Sequence, residues 1–324
     1  MLIQEVTRLK VSKVLGIDTS NYTTSAAIYD TDDMSVIQNK MLLPVKQGEK
    51  GVRQSEAVFH HTKQLPEVIG KLMNNGRVIP DAIGVSVKPR LEEGSYMPCF
   101  LVGEGFADSL GAVVGVAPDK TSHQIGHILA AIYSSGRFDL LQNKHSFAAF
   151  HVSGGTTDLL YCEPDDESIL KITRIGGSDD LKAGQAIDRC GVMLGLKFPC
   201  GRELESLAQN SRAEFKIKPS VKGLSCSLSG LENKCKDMLA KGCPKEDIAK
   251  FCIMYVNESI KSLTSAFYES YGERTVIYAG GVMSNTIIRN SLESSERVFC
   301  EGEFSRDNAC GVAVYSAIKR GMIL

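Results

Sequence analysis

His123 and His127, in TSHQIGHILAAIYSS, stand four residues apart. On a helix that spacing sends both imidazoles out of one face, where they can offer two cis ligands to a transition metal. Two unrelated polar-face histidines give the same spacing. The zinc-protease pattern is disfavoured, because Gln124 follows His123 where that chemistry needs a glutamate. Asp307, in the polar turn of FSRDNACGVAVYSAI, is the best third ligand. An aspartate just ahead of a small-residue helix also serves as its cap, and one carboxylate can do both.

A second chemistry is written in three glycine-bearing segments: GIDTSNYTTSAAIYD, HVSGGTTDLLY and IYAGGVMSN. Each joins apolar, β-rich flanks to a turn of Gly, Ser, Thr and Asp, so that backbone amides can approach phosphate oxygens. Any one Gly-Gly pair is equally a tight turn. Three in this order point to a nucleotide-binding enzyme, with Asp18 and Ser20 in the first turn and Gly154 and Gly155 in the second. Asp188, on a predicted helix in LKAGQAIDRCGVMLGL, could accept hydrogen bonds from ribose hydroxyls or simply face solvent. Gly201 and Glu205 follow beyond the KFPCG break. The adjacent His60 and His61 point in two directions on their helix, which favours a surface or cleft-edge role over a shared metal.

These residues need a scaffold, and the pattern supplies an α/β one. VLGIDTS and SAAIYD read as a hairpin. Residues 54–75 form an amphipathic helix with Val58, Leu65, Val68, Ile69 and Leu72 on one stripe. DAIGVSV is a strand, FLVGEGFADSLGAVVG a close-packing helix, and VVGVAPDK the next strand. Residues 135–146 read as a crossing linker. FAAFHVSGG and TTDLLYC repeat the hairpin. The segment 178–210 is helical, interrupted by Pro199 and Gly201, and 211–235 is irregular. Two helices are expected around 245–270, before the strand TVIYAGGV and the helix NTIIRNSLE. The expected division is a first lobe over 12–120, a junction helix with the histidines and a linker over 121–139, and a second lobe over 140–320.

Composition bounds the partners. The chain has 324 residues, 43% hydrophobic and 23% charged, which suits one or two globular cores. A formal net charge of −1 neither attracts nor repels nucleic acid, so such a partner needs a local basic patch or a helper protein. Ten cysteines without a C-x-x-C pair argue against a zinc ribbon and for free thiols in a reducing cytoplasm. No apolar stretch reaches membrane-spanning length.

The order of motifs resembles actin, the sugar kinases and the heat-shock ATPases, and more specifically the family of bacterial TsaD and its archaeal and eukaryotic homologues. The segments GIDTSNYTTSAAIYD, SHQIGHILA, VSGGTTDLL, AGQAIDRCGVMLGLKFPCG, SLSGLENK, YAGGVMSN and SRDNACGVA carry that resemblance from Val14 onward. It implies two such lobes with a nucleotide cleft between them. It also implies a metal-dependent transferase that passes a threonylcarbamoyl group from its anhydride with AMP to the exocyclic amine of a tRNA adenosine beside the anticodon. The family's metal, iron or zinc, falls on His123, His127 and Asp307. Its adenylate contacts fall on Val152, Ser153, Gly154, Gly155, Asp188, Gly201, Glu205 and Asn285. A smaller TsaB-like relative, an ATPase partner and a homodimer are further implications.

The motifs also depart from the family. Ile125 replaces the Glu of H-x-E-G-H, and Thr156 replaces the His or Asn after S-G-G. Gln185 and Ile187 replace the Glu and Phe of G-E-A-F-D, and residues 88–93 replace a G-P-G-L loop. These changes spare the expected ligands and mark a divergent paralogue. A small-molecule carbamoyl or acyl transferase, or a non-catalytic scaffold of the same fold, are the alternatives.

Overall fold

The computed structural model describes residues 12–20, 22–44, 52–74, 76, 78–292, 294, 297–305 and 309–324. The chain forms two compact units. The first takes residues 1–133, 167–169 and 307–324, and the second takes 134–166 and 170–306.

Unit 1 is built on a five-stranded sheet in the order β3-β2-β1-β4-β5. Its strands are β1 (Lys13–Ser20), β2 (Thr23–Asp30), β3 (Val36–Leu42), β4 (Ala82–Lys88) and β5 (Asp119–Ser122). β1 pairs antiparallel with β2 and parallel with β4. Alternation along β1 decides what covers each face. Leu15 and Ile17 pack with Leu65, Val68 and Leu72 of α1 (Gln54–Met73) and Ala107 of α2 (Phe100–Val114). Each such fully buried aliphatic side chain contributes about 1.5–3 kcal/mol. Gly16 and Gly84 face the other way, onto the helix Cys310–Lys319, here α10. A Cβ on Gly16 would lie 2.4 Å from the Ala309 carbonyl oxygen, and one on Gly84 would lie 2.3 Å from that of Val312. α3 (His123–Ser135) crosses α10 where Gly126 and Gly311 remove both side chains from the contact. The sequence reading placed 307–320 in the second lobe; glycines on β1 and β4 seat that helix on the first sheet.

Unit 2 carries a seven-stranded sheet in the order β12-β11-β6-β7-β8-β10-β9. After the short helix α4 (Asp139–Gln142), β6 (Phe147–Val152) and β7 (Thr157–Asp165) form an antiparallel hairpin, followed by β8 (Ile169–Ser178). Then come α5 (Ala183–Met193), α6 (Gly201–Ala208), β9 (Ser220–Lys222), β10 (Ser225–Ser227), α7 (Ser229–Ala240) and α8 (Lys245–Tyr271). β11 (Val276–Ala279) lies parallel between β6 and β12 (Arg297–Phe299), with α9 (Thr286–Leu292) between them in sequence. Phe150 stacks on Tyr278 at 5.4 Å and Tyr278 on Phe299 at 4.9 Å, which ties these three strands through one aromatic column.

Three local expectations are corrected. The 245–270 region is one helix of 27 residues, since no Gly or Pro interrupts its buried stripe from Ile248 to Phe267. The segment 211–235 is not wholly irregular: β9 and β10 make an edge hairpin around Gly223, which has φ 56°, and α7 begins at Ser229. Val113 and Val114 end α2 at the left-handed Gly115, so the fifth strand is DKTS.

Candidate active site

In unit 1 the strand alternation that turns Gly16 toward α10 turns Asp18 the same way, and Ser86 on β4 follows Gly84. Asp18 is fully buried and engages three neighbours. Ser20 Oγ donates to it at 2.6 Å, Ser86 Oγ donates to its other oxygen, and His123 Nδ1 lies 3.2 Å away. Burial pushes the Asp18 carboxyl up, but the His123 charge and these hydrogen bonds outweigh it and hold the group below the ordinary carboxylate range. The His123 and His127 rings meet edge to face with centroids 4.3 Å apart, so the four-residue spacing places both imidazoles together at the start of α3. Two adjacent imidazoles, one of them held by an ionised carboxylate, suit a divalent transition metal that takes its other ligands elsewhere. Asp307, the expected third ligand, lies outside the described residues.

Ile125 is buried between the two histidines in sequence but two residues from each, so it points off their face. The 88–93 loop touches the same helix start, where the Gln124 amide donates to the Pro89 carbonyl at 3.0 Å. His61 does not sit at a cleft edge. It is completely buried on the opposite face of the sheet, 2.8 Å from Thr24 Oγ1, and Thr24 in turn donates to Gln64 Oε1. Thr24 has one proton to give, so His61 Nδ1 carries the proton of that contact. Burial pushes its imidazole down to about 4, past the opposing pull of Asp18, and keeps it neutral.

In unit 2 the expected adenylate residues form a closed circuit at the carboxyl ends of β6 and β11. Ser153 to Thr156 make a tight turn: the Ser153 amide donates to the Thr156 carbonyl at 2.9 Å, and Ser153 Oγ accepts from the Gly155 and Thr156 amides at 3.2 Å. Thr156 Oγ1 closes on Ser153 Oγ at 2.8 Å. Gly154 and Gly155 are exposed, and a Cβ on either would meet no atom within 4 Å. Against this turn sits the amino end of α5, where a Cβ on Gly184 would be 2.7 Å from Gly154 Cα. The Ala183 amide is taken by Thr157 Oγ1 at 2.8 Å.

One turn further along α5, the half-buried Asp188 accepts the Cys200 amide at 2.8 Å and so fixes the start of α6 at Gly201. Burial pushes its carboxyl up, partly offset by that amide. Glu205 on α6 accepts both the amide (2.7 Å) and the hydroxyl (2.5 Å) of Thr286. Asn285 caps α9 by accepting the Ile287 and Ile288 amides at 3.0 and 3.1 Å. Gly280 returns the circuit to Val152, since with φ 99° a Cβ there would lie 2.2 Å from the Val152 carbonyl oxygen. Asp18 and Ser20 belong to unit 1 and the other eight expected substrate residues to unit 2.

Sequence reasoning missed Ser86, Thr157, Gly184 and Thr286. Ser86 shares a strand face with Gly84, two residues before it, but only the pairing of β4 with β1 brings it to Asp18. Gly184 was legible as a glycine at a helix start, where close approach is the usual reason for one. The substitutions at Gln185 and Ile187 are absorbed locally, Gln185 returning to the Lys182 amide and Ile187 packing in the core.

A family model described as tRNA N6-adenosine threonylcarbamoyltransferase matches residues 35–314. Among curated proteins, the tRNA N6-adenosine threonylcarbamoyltransferase of Thermosipho melanesiensis is 30% identical over 321 residues, 93% of each chain. That of Thermosipho africanus is 29% identical over 330 residues, 95% of each chain. Among solved structures, HypF of T. kodakarensis superposes with a TM-score of 0.62 at 14% identity, covering 96% of this chain and 47% of that one. Component A of the (R)-2-hydroxyglutaryl-CoA dehydratase of Acidaminococcus fermentans gives 0.55 at 17% identity, covering 96% and 99%. A ROK hexokinase from Thermus thermophilus gives 0.52 at 13% identity, covering 95% and 99%. These neighbours share the two-unit α/β fold of the actin, sugar-kinase and heat-shock ATPase type. With a family match across most of its length, the chain belongs to the TsaD family of tRNA N6-adenosine threonylcarbamoyltransferases.

Proposed function

We propose that the chain transfers a threonylcarbamoyl group from its mixed anhydride with AMP to N6 of a tRNA adenosine. In this step the acyl C–O bond to phosphate breaks, a C–N bond to N6 forms, AMP leaves and one N6 proton is released. The observation that carries the reading is the closed circuit of Ser153–Thr156, Gly184, Asp188, Gly201, Glu205 and Asn285. There every side-chain link steadies a frame, and the exposed Gly154 and Gly155 are left bare for a ligand.

In this reading Asp188 accepts the ribose hydroxyls. The Gly154 and Gly155 turn approaches the phosphate as charge develops on the departing AMP. Val152, Ser153, Gly201, Glu205 and Asn285 shape the adenosine side. His123 and His127, completed by Asp307, would hold one divalent transition metal, iron or zinc. When bound, that metal supplies Lewis-acid polarisation of the transferred carbonyl. Asp18 acts behind the histidines: its contact with His123 Nδ1 fixes that ring's orientation, so that Nε2 would be the nitrogen to meet a metal. Ser20 and Ser86 hold Asp18 in turn. No side-chain nucleophile is required.

The near-neutral chain reaches tRNA with help, for which a smaller relative of the same family, an ATPase or a second copy is the natural source, and the reaction belongs in the cytoplasm. No helix among the described residues is long and apolar enough to cross a membrane. The test is to give the chain with its partners threonylcarbamoyl-AMP and tRNA, and to digest the product for the modified nucleoside. Product from the unmodified chain and none from His127→Ala supports the reading. Nucleotide and metal binding with no tRNA product would move the acceptor to a small molecule or make the chain a scaffold.

A further inference from the structure

Far apart in sequence, Cys190 on α5, Cys235 on α7 and Cys252 on α8 converge inside unit 2. Their sulfur atoms all lie within 4.8 Å of one another. All three residues are at most 1% exposed, among Leu194, Leu204, Leu231, Ile248 and Ala249. Cys252 Sγ donates a long hydrogen bond of 4.0 Å to the Ala186 carbonyl. Among the described residues no other histidine, cysteine or carboxylate joins the group.

The triangle has the dimensions of a metal site. A metal–sulfur bond of about 2.3 Å in a planar three-coordinate centre sets sulfur–sulfur edges of about 4.0 Å, so shifts of a few tenths of an ångström would close the present one. A disulfide would join two of the sulfurs at about 2.05 Å and leave the third out. The surroundings select the ion. Thiolates favour soft cations over hard, oxygen-seeking ones, and the buried apolar cluster around the triangle offers no further side-chain ligand among the described residues. Three core cysteines packed merely as small apolar residues would show the same burial, and binding of a thiophilic ion separates the two cases.

We propose that Cys190, Cys235 and Cys252 form a closed site for one soft, thiophilic metal ion, with Cu(I) as the cation whose three-coordinate thiolate chemistry the triangle fits. Coordination breaks the S–H bonds of the sulfurs that become thiolates, directs their lone pairs to the ion and passes the protons to solvent, with no change of oxidation state. The site pins α5 to α7 and α8. It is separate from the His123 and His127 pair, which lies in unit 1.

The test is anaerobic titration of the reduced full-length chain with Cu(I) against a chromophoric Cu(I) chelator. Expected results are one tightly held equivalent, a thiolate-to-copper ultraviolet band, and an X-ray absorption spectrum fitted by three sulfur neighbours. Cys235→Ala and Cys252→Ala should each weaken binding by more than about 100-fold, since losing a direct ligand costs more than the roughly 10- to 100-fold typical of losing a ligand's supporting partner. Cys243→Ala, at a half-exposed position outside the triangle, should not change it. Should the core variants fail to fold, the absorption spectrum of the unmutated chain decides. No tight equivalent, a nitrogen- or oxygen-bound copper, or unchanged affinity in a folded Cys235→Ala chain overturns the proposal. Displacement of the bound copper by one equivalent of Zn(II) overturns Cu(I) as the occupant.

Discussion

The two candidate sites solve opposite problems. In unit 1 the chemistry-bearing side chains are inside: Asp18 is fully buried and its polar neighbours, Ser20, Ser86 and His123, exist to keep a charge there. In unit 2 the expected contact surface is exposed backbone at Gly154 and Gly155, and the polar side chains around it are spent on holding helix ends in place. A buried, mutually oriented set is suited to fixing an ion. A bare glycine turn ringed by pinned helices is suited to admitting a large polyanionic ligand. Substitutions should therefore fail differently in the two units, abruptly in the first and by degrees in the second.

The largest expected effect is at the histidines. His127→Ala should lower threonylcarbamoyl transfer by at least about 1000-fold, because the metal's polarisation of the carbonyl is worth several kcal/mol. Adenine-nucleotide affinity, measured by calorimetry, should stay near that of the unmodified chain. Loss of nucleotide binding together with activity would break the division of labour between the units. Asp18→Asn should follow with a 10- to 100-fold decrease in metal content or turnover, roughly the cost of disturbing a ligand's supporting partner. Metal analysis of the purified variant checks it, and full metal occupancy with full activity would remove Asp18 from the site.

Much of this is readable in the amino-acid sequence, and what is not has identifiable physical causes. The His123 and His127 pair and the second hairpin were legible because their spacing is local and period alone places them. The partners of Asp18 were half legible: strand parity sends Ser20 with it, but Ser86 requires knowing that β4 lies beside β1. α10 was assigned to the wrong unit because no local pattern says that Gly16 and Gly84 are waiting for it. The burial of His61 was missed because a helix stripe drawn through Leu65, Val68 and Leu72 does not reveal that a threonine on the facing strand will accept a histidine. The three cysteines of unit 2 were invisible, since their spacing of 45 and 17 residues has no motif and only the packing of α5, α7 and α8 brings them together.

In unit 2 the next effect in size is Asp188→Ala, which should weaken binding of an adenylate by about 1.5–3 kcal/mol, the value of a charge-assisted hydrogen bond. Transfer measured at saturating donor should be much less affected, and unchanged affinity would end the ribose role. Gly184→Ala tests the frame rather than a contact. Its new Cβ would press on Gly154 Cα at 2.7 Å, so the turn must move, and a cost of about 1–3 kcal/mol in stability is expected. The accompanying fall in nucleotide affinity should leave the metal content untouched.

The smallest effect is also the one with an unusual sign. Burial holds the Asp188 carboxyl above its ordinary value despite the Cys200 amide, so in the folded chain the proton is kept more tightly than in the unfolded one. Below the unfolded value of about 3.9 both states are protonated and the group contributes nothing to the pH dependence. Above it the unfolded carboxyl ionises first, which draws the equilibrium toward unfolding until the folded pKa is also passed. At neutral pH the ionised Asp188 is therefore a net burden on stability. Asp188→Asn keeps an oxygen to accept the Cys200 amide and removes that burden, so its melting temperature at neutral pH should equal or exceed that of the unmodified chain, and the difference should shrink as the pH is lowered toward 4. Nucleotide affinity should nevertheless fall, because the neutral amide is the weaker acceptor for ribose hydroxyls. A residue kept at a cost to stability and needed for binding is what a ligand site requires. A destabilised Asp188→Asn chain with intact nucleotide affinity would instead make Asp188 a structural cap for α6 alone.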